Sequence, residues 1–430
     1  MKSLRFAPLG LAGMLLAGCG GSATVASTSP SSAASTSAAA STSASARPSA
    51  SAAASASSPA ASSVSPSTSG AASSSSSPAG SGPSSASAAA ASAAGSASAS
   101  GSTTASAAAS IAPLSPRAKI NLAVALTNTG NLPILVGLEN GAFDKAGLDL
   151  QVTDVPGSAS AVLPQLAAGQ VDITPVTPAP NLFAQAAQGF GAKLIAGMDV
   201  QKAGRVSPGY LLIQKGEEDT IKQPSDLKGK VIEGAVEGSP LSLLSLSAAK
   251  AGGLTPGKDV TIKYDVKQPT DFVILATNKS ADVYGMPEPF ATQAADKGYA
   301  VKWKSFADIA PWYQALALGV SSKFLASNRP AVVKFIQVYI QQARLIDQAN
   351  GVWTDPLITL AAKDSKVDPQ VIKSQGGITY YDPNGAVSLD SLTQIQDFWV
   401  GQNLVKEKVD IAGLVDASVA QDAVAAIGKA

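Results

Sequence analysis

The sequence contains no histidine and only one cysteine in its 430 residues. Without histidine, the chain cannot form a Ser-His or Cys-His nucleophile or a His-ligated metal site. A single cysteine excludes a disulfide within the chain and dithiol redox chemistry. The phosphate-binding pattern Gly-x-x-x-x-Gly-Lys-Ser/Thr is also missing, so ATP hydrolysis is not expected. Catalysis by Asp and Glu side chains alone is not excluded, but no spacing in the sequence singles out a pair of acidic residues.

Charged residues are sparse and nearly balanced. Asp, Glu, Lys and Arg together make up 14% of the chain, and its formal net charge is +1. A nucleic-acid-binding protein would show a basic surplus, and this chain has none. After the first 21 residues, no apolar run approaches the ~20 residues that a membrane-spanning helix needs.

The first 21 residues have the organisation of an export signal. Lys2 and Arg5 form a short basic region, an apolar run extends to Leu16, and small residues precede Cys19. The sequence LAGC at 16–19 resembles the bacterial lipoprotein processing box, in which the chain is cut before the cysteine and the thiol is acylated. We therefore expect a lipid on Cys19 that holds the protein on the outer face of the cell membrane.

The next segment, residues 22–115, is almost entirely Ala, Ser, Thr, Gly and Pro. It has Arg47 as its single charge and contains no aromatic residue. Such a composition buries too little apolar surface to offset the entropy of ordering the chain. We predict a disordered tether with a root-mean-square reach of about 50 Å as a flexible coil.

From residue 119 onward, predicted strands and helices alternate. The strands are rich in Val, Ile and Leu, which is typical of a parallel sheet covered by helices on both faces. The predicted strands span 120–126, 150–155, 171–176 and 192–198, and the predicted helices span 133–146, 160–168 and 181–188. The predicted fold class is therefore α/β.

Two pairs of aspartates recur at the same spacing. Asp149 and Asp172 are 23 residues apart, and so are Asp259 and Asp282. In each pair the first aspartate follows a glycine near a helix end, the second opens a strand, and a Pro-rich turn comes next. This shared order predicts two lobes of like topology, with a cleft between them.

Residues 231–253 read as a strand, a tight turn and a helix. Gly238 permits a sharp turn, and Ser239 is a natural N-cap for the helix that follows. We expect the free N–H groups of Leu241 and Ser242 and the Ser239 hydroxyl to face the cleft, where they would bind a small polar or anionic ligand. The alternative is a capped helix that binds nothing.

Five short motifs carry a family resemblance. They are ENGAFDKAGLDL (139–150), GQVD (169–172), DLKGK (226–230), AGGL (251–254) and EPF (288–290). In this order they resemble the signature segments of the nitrate/sulfonate/taurine and thiamine-precursor solute-binding proteins of ABC importers. The resemblance covers nearly all of the chain after residue 119. It implies a type II periplasmic-binding-protein fold, in which two α/β lobes are joined by a two-strand hinge with the ligand cleft between them.

The resemblance also implies where the lobes divide. Lobe one would comprise 117–207 and 322–430, and lobe two would comprise 208–321. Apolar runs at 210–213 and 315–320 are predicted to be the hinge crossings. The alternative is that these runs are core strands within one lobe.

Candidate ligand-binding residues follow from the rule that open α/β sheets bind ligands at the carboxyl ends of their strands. In lobe one they are Thr127, Asn128, Thr129, Ser158 and Thr177. In lobe two they are Gly238, Ser239, Tyr284 and Glu288, and Trp312 or Tyr313 is a candidate to stack on a ring. For each polar residue, the alternative is a helix cap or a turn, and for Glu288 it is a favourable interaction with the dipole of the following helix.

The resemblance implies that the chain is no enzyme but captures a small solute and delivers it to a membrane permease and its ATPase. A monomer without cofactor or metal is expected. A sulfonate or related oxyanion is the predicted solute, and a heteroaromatic or amine solute such as a thiamine pyrimidine precursor is the alternative. Two other classes stay open: a surface sensor without transport, and a pyrimidine-precursor synthase, although the synthase resemblance depends on histidine.

The double variant Ser239→Ala/Thr177→Ala tests the predicted cleft. It should weaken ligand binding and leave the fold intact, because both hydroxyls are predicted to face the solute from opposite lobes. Thermal-shift titration with sulfonates, nitrate, pyrimidines and amines would measure the effect. Unchanged affinity in the double variant would place the site elsewhere.

Overall fold

Two five-stranded β-sheets with flanking helices form the frame of the protein. The computed structural model describes residues 111–155 and 159–430. The predicted export signal, the predicted lipidation site Cys19, most of the predicted tether and Ser158 lie outside the described residues.

The strands and helices have the following bounds. The strands are β1 (Ala118–Val124), β2 (Leu148–Asp154), β3 (Ile173–Val176), β4 (Ala192–Gly197), β5 (Gly209–Gln214), β6 (Val231–Glu233), β7 (Thr261–Lys263), β8 (Val283–Pro287), β9 (Ala300–Ser305) and β10 (Ala317–Ser321). The helices are α1 (Leu132–Glu139), α2 (Ala142–Lys145), α3 (Leu163–Ala168), α4 (Pro180–Ala187), α5 (Pro240–Ala251), α6 (Asp271–Thr277), α7 (Phe290–Asp296), α8 (Phe306–Ile309), α9 (Ser322–Gln348), α10 (Asp355–Ser365), α11 (Pro369–Ser374), α12 (Leu389–Gly401), α13 (Ile411–Leu414) and α14 (Ser418–Ile427). Short 3₁₀ turns occur at Thr129–Asn131, Ala159–Val162 and Pro224–Leu227.

The two sheets share one topology. The strand order is β2-β1-β3-β10-β4 in the first sheet and β7-β6-β8-β5-β9 in the second. In each sheet the fourth strand, β10 or β5, runs antiparallel to both of its neighbours. The predicted parallel pairing is present among the first three strands of each order, and it does not extend to β10 and β5. A strand that arrives from the other sheet enters at the cleft edge, where the parallel strands end, and has to run back across the sheet.

The equal aspartate spacing reflects a repeated hydrogen bond. Asp172 Oδ2 accepts from the backbone N–H of Asn121 at 2.8 Å, and Asp282 Oδ2 accepts from that of Val231 at 2.7 Å. Donor and acceptor are 51 residues apart in both cases. Each bond ties the strand after the aspartate, β3 or β8, to the neighbouring parallel strand β1 or β6. The predicted likeness of the two lobes is confirmed at the level of sheet topology and of this bond.

The predicted hinge crossings need correction. The run at 210–213 belongs to β5, a core strand of the second sheet, and most of the run at 315–320 belongs to β10 of the first sheet. The chain passes between the sheets at 198–208 and 306–316. Lobe two as predicted, 208–321, therefore includes β10, which the structure places in the first sheet. Apolar runs mark buried strands, whereas the linking segment after β4 carries polar residues.

The two linking segments are hydrogen-bonded to each other. The Ala315 N–H donates to the Asp199 carbonyl at 2.8 Å, and the Gln201 N–H donates to the Tyr313 carbonyl at 2.9 Å. The first segment also pairs with the C-terminal part of the chain, since the Val200 N–H donates to the Tyr380 carbonyl at 2.9 Å. The connection between the sheets is thus a small antiparallel ladder.

Two other predicted boundaries differ from the structure. The predicted helix 133–146 is divided into α1 and α2, because Gly141 adopts a left-handed conformation with φ of 67°. The predicted tether ends too late: Ile111 and Leu114 pack against the core, and the Leu114 N–H donates to the Ala146 carbonyl at 2.9 Å. These two apolar residues supply the burial that the Ala/Ser-rich composition lacks.

The C-terminal part of the chain closes on the first sheet. Phe335 of α9 stacks on Phe143 with ring centroids 4.8 Å apart, and the Tyr339 hydroxyl donates to the Gly197 carbonyl at 2.8 Å. The Asp416 N–H donates to the Leu194 carbonyl at 2.8 Å. Within the described ranges, no helix is both long and apolar enough to cross a bilayer.

Replacing either repeated aspartate should destabilise its own sheet. Asp172→Ala and Asp282→Ala should each lower the free energy of unfolding by about 1–3 kcal/mol, because a strand N–H loses its acceptor. Urea unfolding would measure the loss. Asp219→Ala is the matched control, since the Asp219 side chain is fully exposed. Equal unfolding free energies for all three variants would contradict the assigned role.

Candidate functional site

A cavity of about 730 Å³ lies where the loops of both sheets meet. Its walls come from the segments after β1 and β3 in the first sheet, and from those after β6, β7 and β8 in the second. Both linking segments and part of the C-terminal region complete the lining. The cavity therefore occupies the position that the strand-end rule predicts.

The structure brings seven of the predicted residues together. Asn128, Thr129, Thr177, Gly238, Ser239, Glu288 and Tyr313 line the cavity. Thr127, Tyr284 and Trp312 are not among the lining residues. Whether any of the seven contacts a solute stays a prediction.

The turn before α5 has the predicted shape, but one of its two predicted free donors, the Ser242 N–H, has a partner. Ser239 caps α5, and its Oγ accepts from the Ser242 N–H at 3.2 Å, so this N–H is already occupied. Gly238 has φ of 74°, and a Cβ added there would lie 3.1 Å from Cγ of Pro180, at the start of α4. Glycine is needed here both for the backbone conformation and for the close approach to the opposite wall.

Glu288 lines the cavity, but its carboxylate is held by the protein. Lys302 Nζ donates to Oε1 at 2.5 Å, and the Thr292 N–H at the start of α7 donates to Oε2 at 3.1 Å. The Glu288 side chain is 3% exposed. This arrangement favours the alternative in which Glu288 stabilises the start of the following helix.

Two of the three predicted aromatic residues lie outside the lining. Tyr284 is 1% exposed within β8, where its hydroxyl donates to Gln214 Oε1 at 2.6 Å, so it is a core residue. Trp312 packs edge-on against Tyr313, and Tyr313 is the aromatic residue that lines the cavity.

Asp199 is the main lining residue that the sequence reasoning missed. It is 4% exposed, and burial raises the pKa of its carboxyl to about 7, although a hydrogen bond with the Thr379 side chain acts in the opposite direction. Its Oδ1 has no hydrogen-bond partner within the described chain. A Cβ added to Gly130 would lie 2.9 Å from Oδ2, so the loop after β1 approaches the carboxylate closely.

Other buried polar atoms of the lining also lack partners among the described residues. They are Asn131 Oδ1, Tyr313 Oη, Trp353 Nε1 and Gln375 Nε2. Buried polar groups in folded proteins are hydrogen-bonded with few exceptions, to protein, water or ligand. This mixed set of acceptors and donors, together with Asp199, is therefore suited to a solute that provides the missing partners.

The charged side chains of the lining are mostly acidic. Asp199, Glu237 and Glu288 carry carboxylates, whereas Lys267 supplies the single cation among the described lining residues. Lys267 is exposed, and its Nζ donates to the Tyr264 carbonyl at 3.1 Å. The part of the chain covered by the structure contains no group of three or more acidic, Cys or His side chains placed to hold a metal ion.

The same strand-end rule would have identified Asp199. Asp199 follows β4 after one intervening residue. In lobe one, however, the predicted candidates follow only the first three strands. Trp353, Gln375 and Thr379 had no comparable signal. They come from the helical C-terminal region, which folds back to the cavity through tertiary packing alone.

The buried Asp199 carboxyl should make the unliganded protein less stable as the pH rises. Its pKa of about 7 in the folded state lies above the ordinary value of 3.8, so the folded protein binds more protons than the unfolded chain between these values. Its contribution to the unfolding free energy is therefore lost as the pH rises from about 4 through 7, by roughly 4 kcal/mol at most. Urea unfolding of wild type and Asp199→Asn at several pH values would isolate this term. If the unfolding free energies of wild type and Asp199→Asn changed with pH in the same way, this prediction would be contradicted.

Comparisons with known proteins agree with this architecture. A family model described as NMT1/THI5 like matches residues 128–344, half of the chain. No protein with a curated description matches the chain significantly. The periplasmic aliphatic sulphonate-binding protein SsuA from Escherichia coli is similar in structure, with a TM-score of 0.55 and 19% identity over 69% of this chain and 92% of SsuA.

Two further structures are similar. The periplasmic nitrate-binding protein NrtA from Synechocystis PCC 6803 has a TM-score of 0.60 and 15% identity, over 74% of this chain and 90% of NrtA. A mutant of DSZB in complex with biphenyl-2-sulfinic acid has a TM-score of 0.53 and 15% identity, over 72% of this chain and 99% of DSZB. At such identities the likeness shows the fold alone, and it confirms the two-lobe periplasmic-binding-protein fold. The family model extends from the loop after β1 into α9 and so includes the whole second sheet: the chain belongs to the NMT1/THI5-like family.

Proposed function

We propose that this protein is the extracytoplasmic solute-binding component of an ABC importer, which captures a small organic solute and delivers it to a membrane permease. The observation that carries the proposal is the cavity between two like sheets, lined by buried polar atoms that lack partners in the described chain. The similarity to proteins named for binding sulphonate and nitrate supports it. The same similarity leads us to infer binding rather than catalysis.

The size of the cavity favours an organic solute. At about 730 Å³ it falls within the range of roughly 300–1,000 Å³ that is usual for sites of drug-sized ligands. Nitrate would leave most of this volume empty. Aromatic and aliphatic side chains form much of the wall, among them Phe272, Phe306 and Leu316. A largely apolar body with a polar end would fill such a space.

Solute capture would act through closure of the two lobes. The linking segments at 198–208 and 306–316 form the only connections between the sheets along the described chain, and residues of both segments line the cavity. A solute that touches both walls binds the closed arrangement more tightly than the open one and so shifts the population toward it. The closed form would be the one presented to the permease, whose partner ATPase supplies the energy.

The N-terminal region would determine the location of this function. An export signal and a lipid on Cys19 would place the binding lobes at the outer membrane face, and the Ala/Ser-rich segment would give them reach toward the permease. A surface sensor would use the same site. Loss of solute uptake in cells that lack the chain favours transport, and intact uptake with a lost signalling response favours sensing.

A variant that fills the cavity tests the proposed function. Thr177→Trp should place an indole in the cavity, abolish the solute-induced rise in melting temperature and abolish uptake, because the solute loses its space. Thr393→Trp is the matched control, since Thr393 lies on an exposed position of α12 outside the lining. Full-length protein would be screened by thermal shift against sulfonates, nitrate, pyrimidines and amines, and uptake would be followed with the solute that binds.

Two results would contradict the proposed function. One is the absence of any melting-temperature shift in the screen, combined with no co-purifying small molecule in native mass spectrometry of the wild type. The other is wild-type affinity in Thr177→Trp, which would place the binding site outside this cavity.

A further inference from the structure

The cavity contains a buried acid without a counter-ion. Asp199 lines it with Oδ1 unpartnered in the described chain, and the nearby Thr379 side chain is its one side-chain hydrogen-bond partner. Arg205, on the same linking segment, is engaged elsewhere, since its Nη1 donates to Asp347 at 2.8 Å. An uncompensated buried carboxylate is costly to the fold. Its position in the lining of the cavity therefore points to a role in binding.

We propose that Asp199 determines specificity for a solute that carries a protonated amine on an apolar body. This inference rests on the proposed solute-binding function. The ammonium N–H groups would donate to Asp199 Oδ1, and the positive charge would compensate the buried carboxylate. Asp199 thereby changes from a destabilising group in the free protein into the anchor of the complex.

The groups facing Asp199 leave its charge available to a solute. The titratable side chains that interact with it electrostatically are Tyr313, Tyr339 and Tyr381, from the second linking segment, α9 and the C-terminal loop. Burial raises the pKa of each phenol, so all three are neutral at physiological pH. None of these three side chains therefore brings a positive charge that would compete with a bound ammonium group.

Aromatic rings adjoin this acid. Tyr313 and Phe306 stack with centroids 4.3 Å apart, and both line the cavity. Rings of this kind accept the apolar body of a solute, and their faces also attract organic cations. A carboxylate beside stacked rings is thus complementary to an amine attached to an aromatic or aliphatic group.

The same charges disfavour an oxyanion. A sulfonate in the cavity would approach Asp199 and Glu237, whereas the lining cation Lys267 lies exposed and donates to the Tyr264 carbonyl. Like charges at short range disfavour binding unless one of them takes up a proton. Of the two solute classes predicted from the sequence, the described side chains favour the amine.

Matched probes test the inference. Isothermal titration of the full-length protein would compare benzyl, hexyl and pyridylmethyl compounds that each end in an ammonium, a hydroxyl or a sulfonate group. We expect the ammonium member of at least one series to bind at least tenfold more tightly than its hydroxyl and sulfonate counterparts. Asp199→Asn should remove at least tenfold of that affinity at pH 8, and Asp219→Asn, at a fully exposed side chain, should have no effect.

A pH series separates a charge effect from a structural one. Wild-type affinity for the ammonium probe should fall as the pH drops from 8 to 5, because Asp199 takes up a proton, whereas the weaker affinity of Asp199→Asn should stay flat. Circular dichroism and urea unfolding would confirm that the variant is folded. If Asp199→Asn does not fold, two wild-type measurements decide the question: the affinities for the three end groups, and the pH dependence of ammonium binding.

The outcomes distinguish this inference from the proposed function. Tight sulfonate binding with no ammonium preference would overturn the amine inference and leave the binding function standing. Ammonium binding that Asp199→Asn does not weaken would also overturn the role of Asp199. If no probe binds and native mass spectrometry finds no bound solute, both the inference and the proposed function fail.

Discussion

The antiparallel pairing of the two linking segments is the constraint on which the rest of the molecule depends. The hydrogen bond from the Ala315 N–H to the Asp199 carbonyl belongs to this ladder, and the side chains of the same segments reach into the cavity. The proposed hinge and the proposed binding site therefore share residues. A solute bound against Asp199 and Tyr313 would contact the proposed axis of lobe movement itself, so binding and closure would be coupled without any intervening relay.

The two sheets are alike in architecture but differ in what they bring to the cavity. In each, an aspartate at the start of the third parallel strand accepts a hydrogen bond from the central strand. The unpartnered buried atoms of the lining come from the first-sheet loop, the linking segments and the C-terminal region, whereas Glu288 of the second lobe is neutralised by Lys302. The two similar sheets thus carry different chemistry at the cavity. Under the proposed function, the first wall would recognise the solute and the second would cover it.

Local patterns predicted the fold well and the site only in part. The alternation of apolar segments located the strands, and the aspartate spacing predicted the equivalence of the sheets. Gly238 and Ser239 predicted the capped turn, because all three features depend on local backbone hydrogen bonding. They could not indicate that β5 and β10 run antiparallel, because strand direction depends on where the chain enters a sheet. Gln375 and Thr379 reach the cavity only through packing of the C-terminal helices, and no local signal marks such residues. The strand-end rule that identified the other candidates of the first lobe could also have identified Asp199.

The order of strands in the first sheet has a consequence for biosynthesis. Strand β10 separates β3 from β4, so the five strands of the first sheet cannot form one continuous ladder until residue 321 has left the ribosome. The second sheet is built entirely from residues 209–305 and is complete earlier in synthesis. Domains generally fold as they emerge. The second lobe, encoded in the middle of the chain, would thus fold first. The first lobe, whose strand β4 precedes Asp199, would complete its fold last.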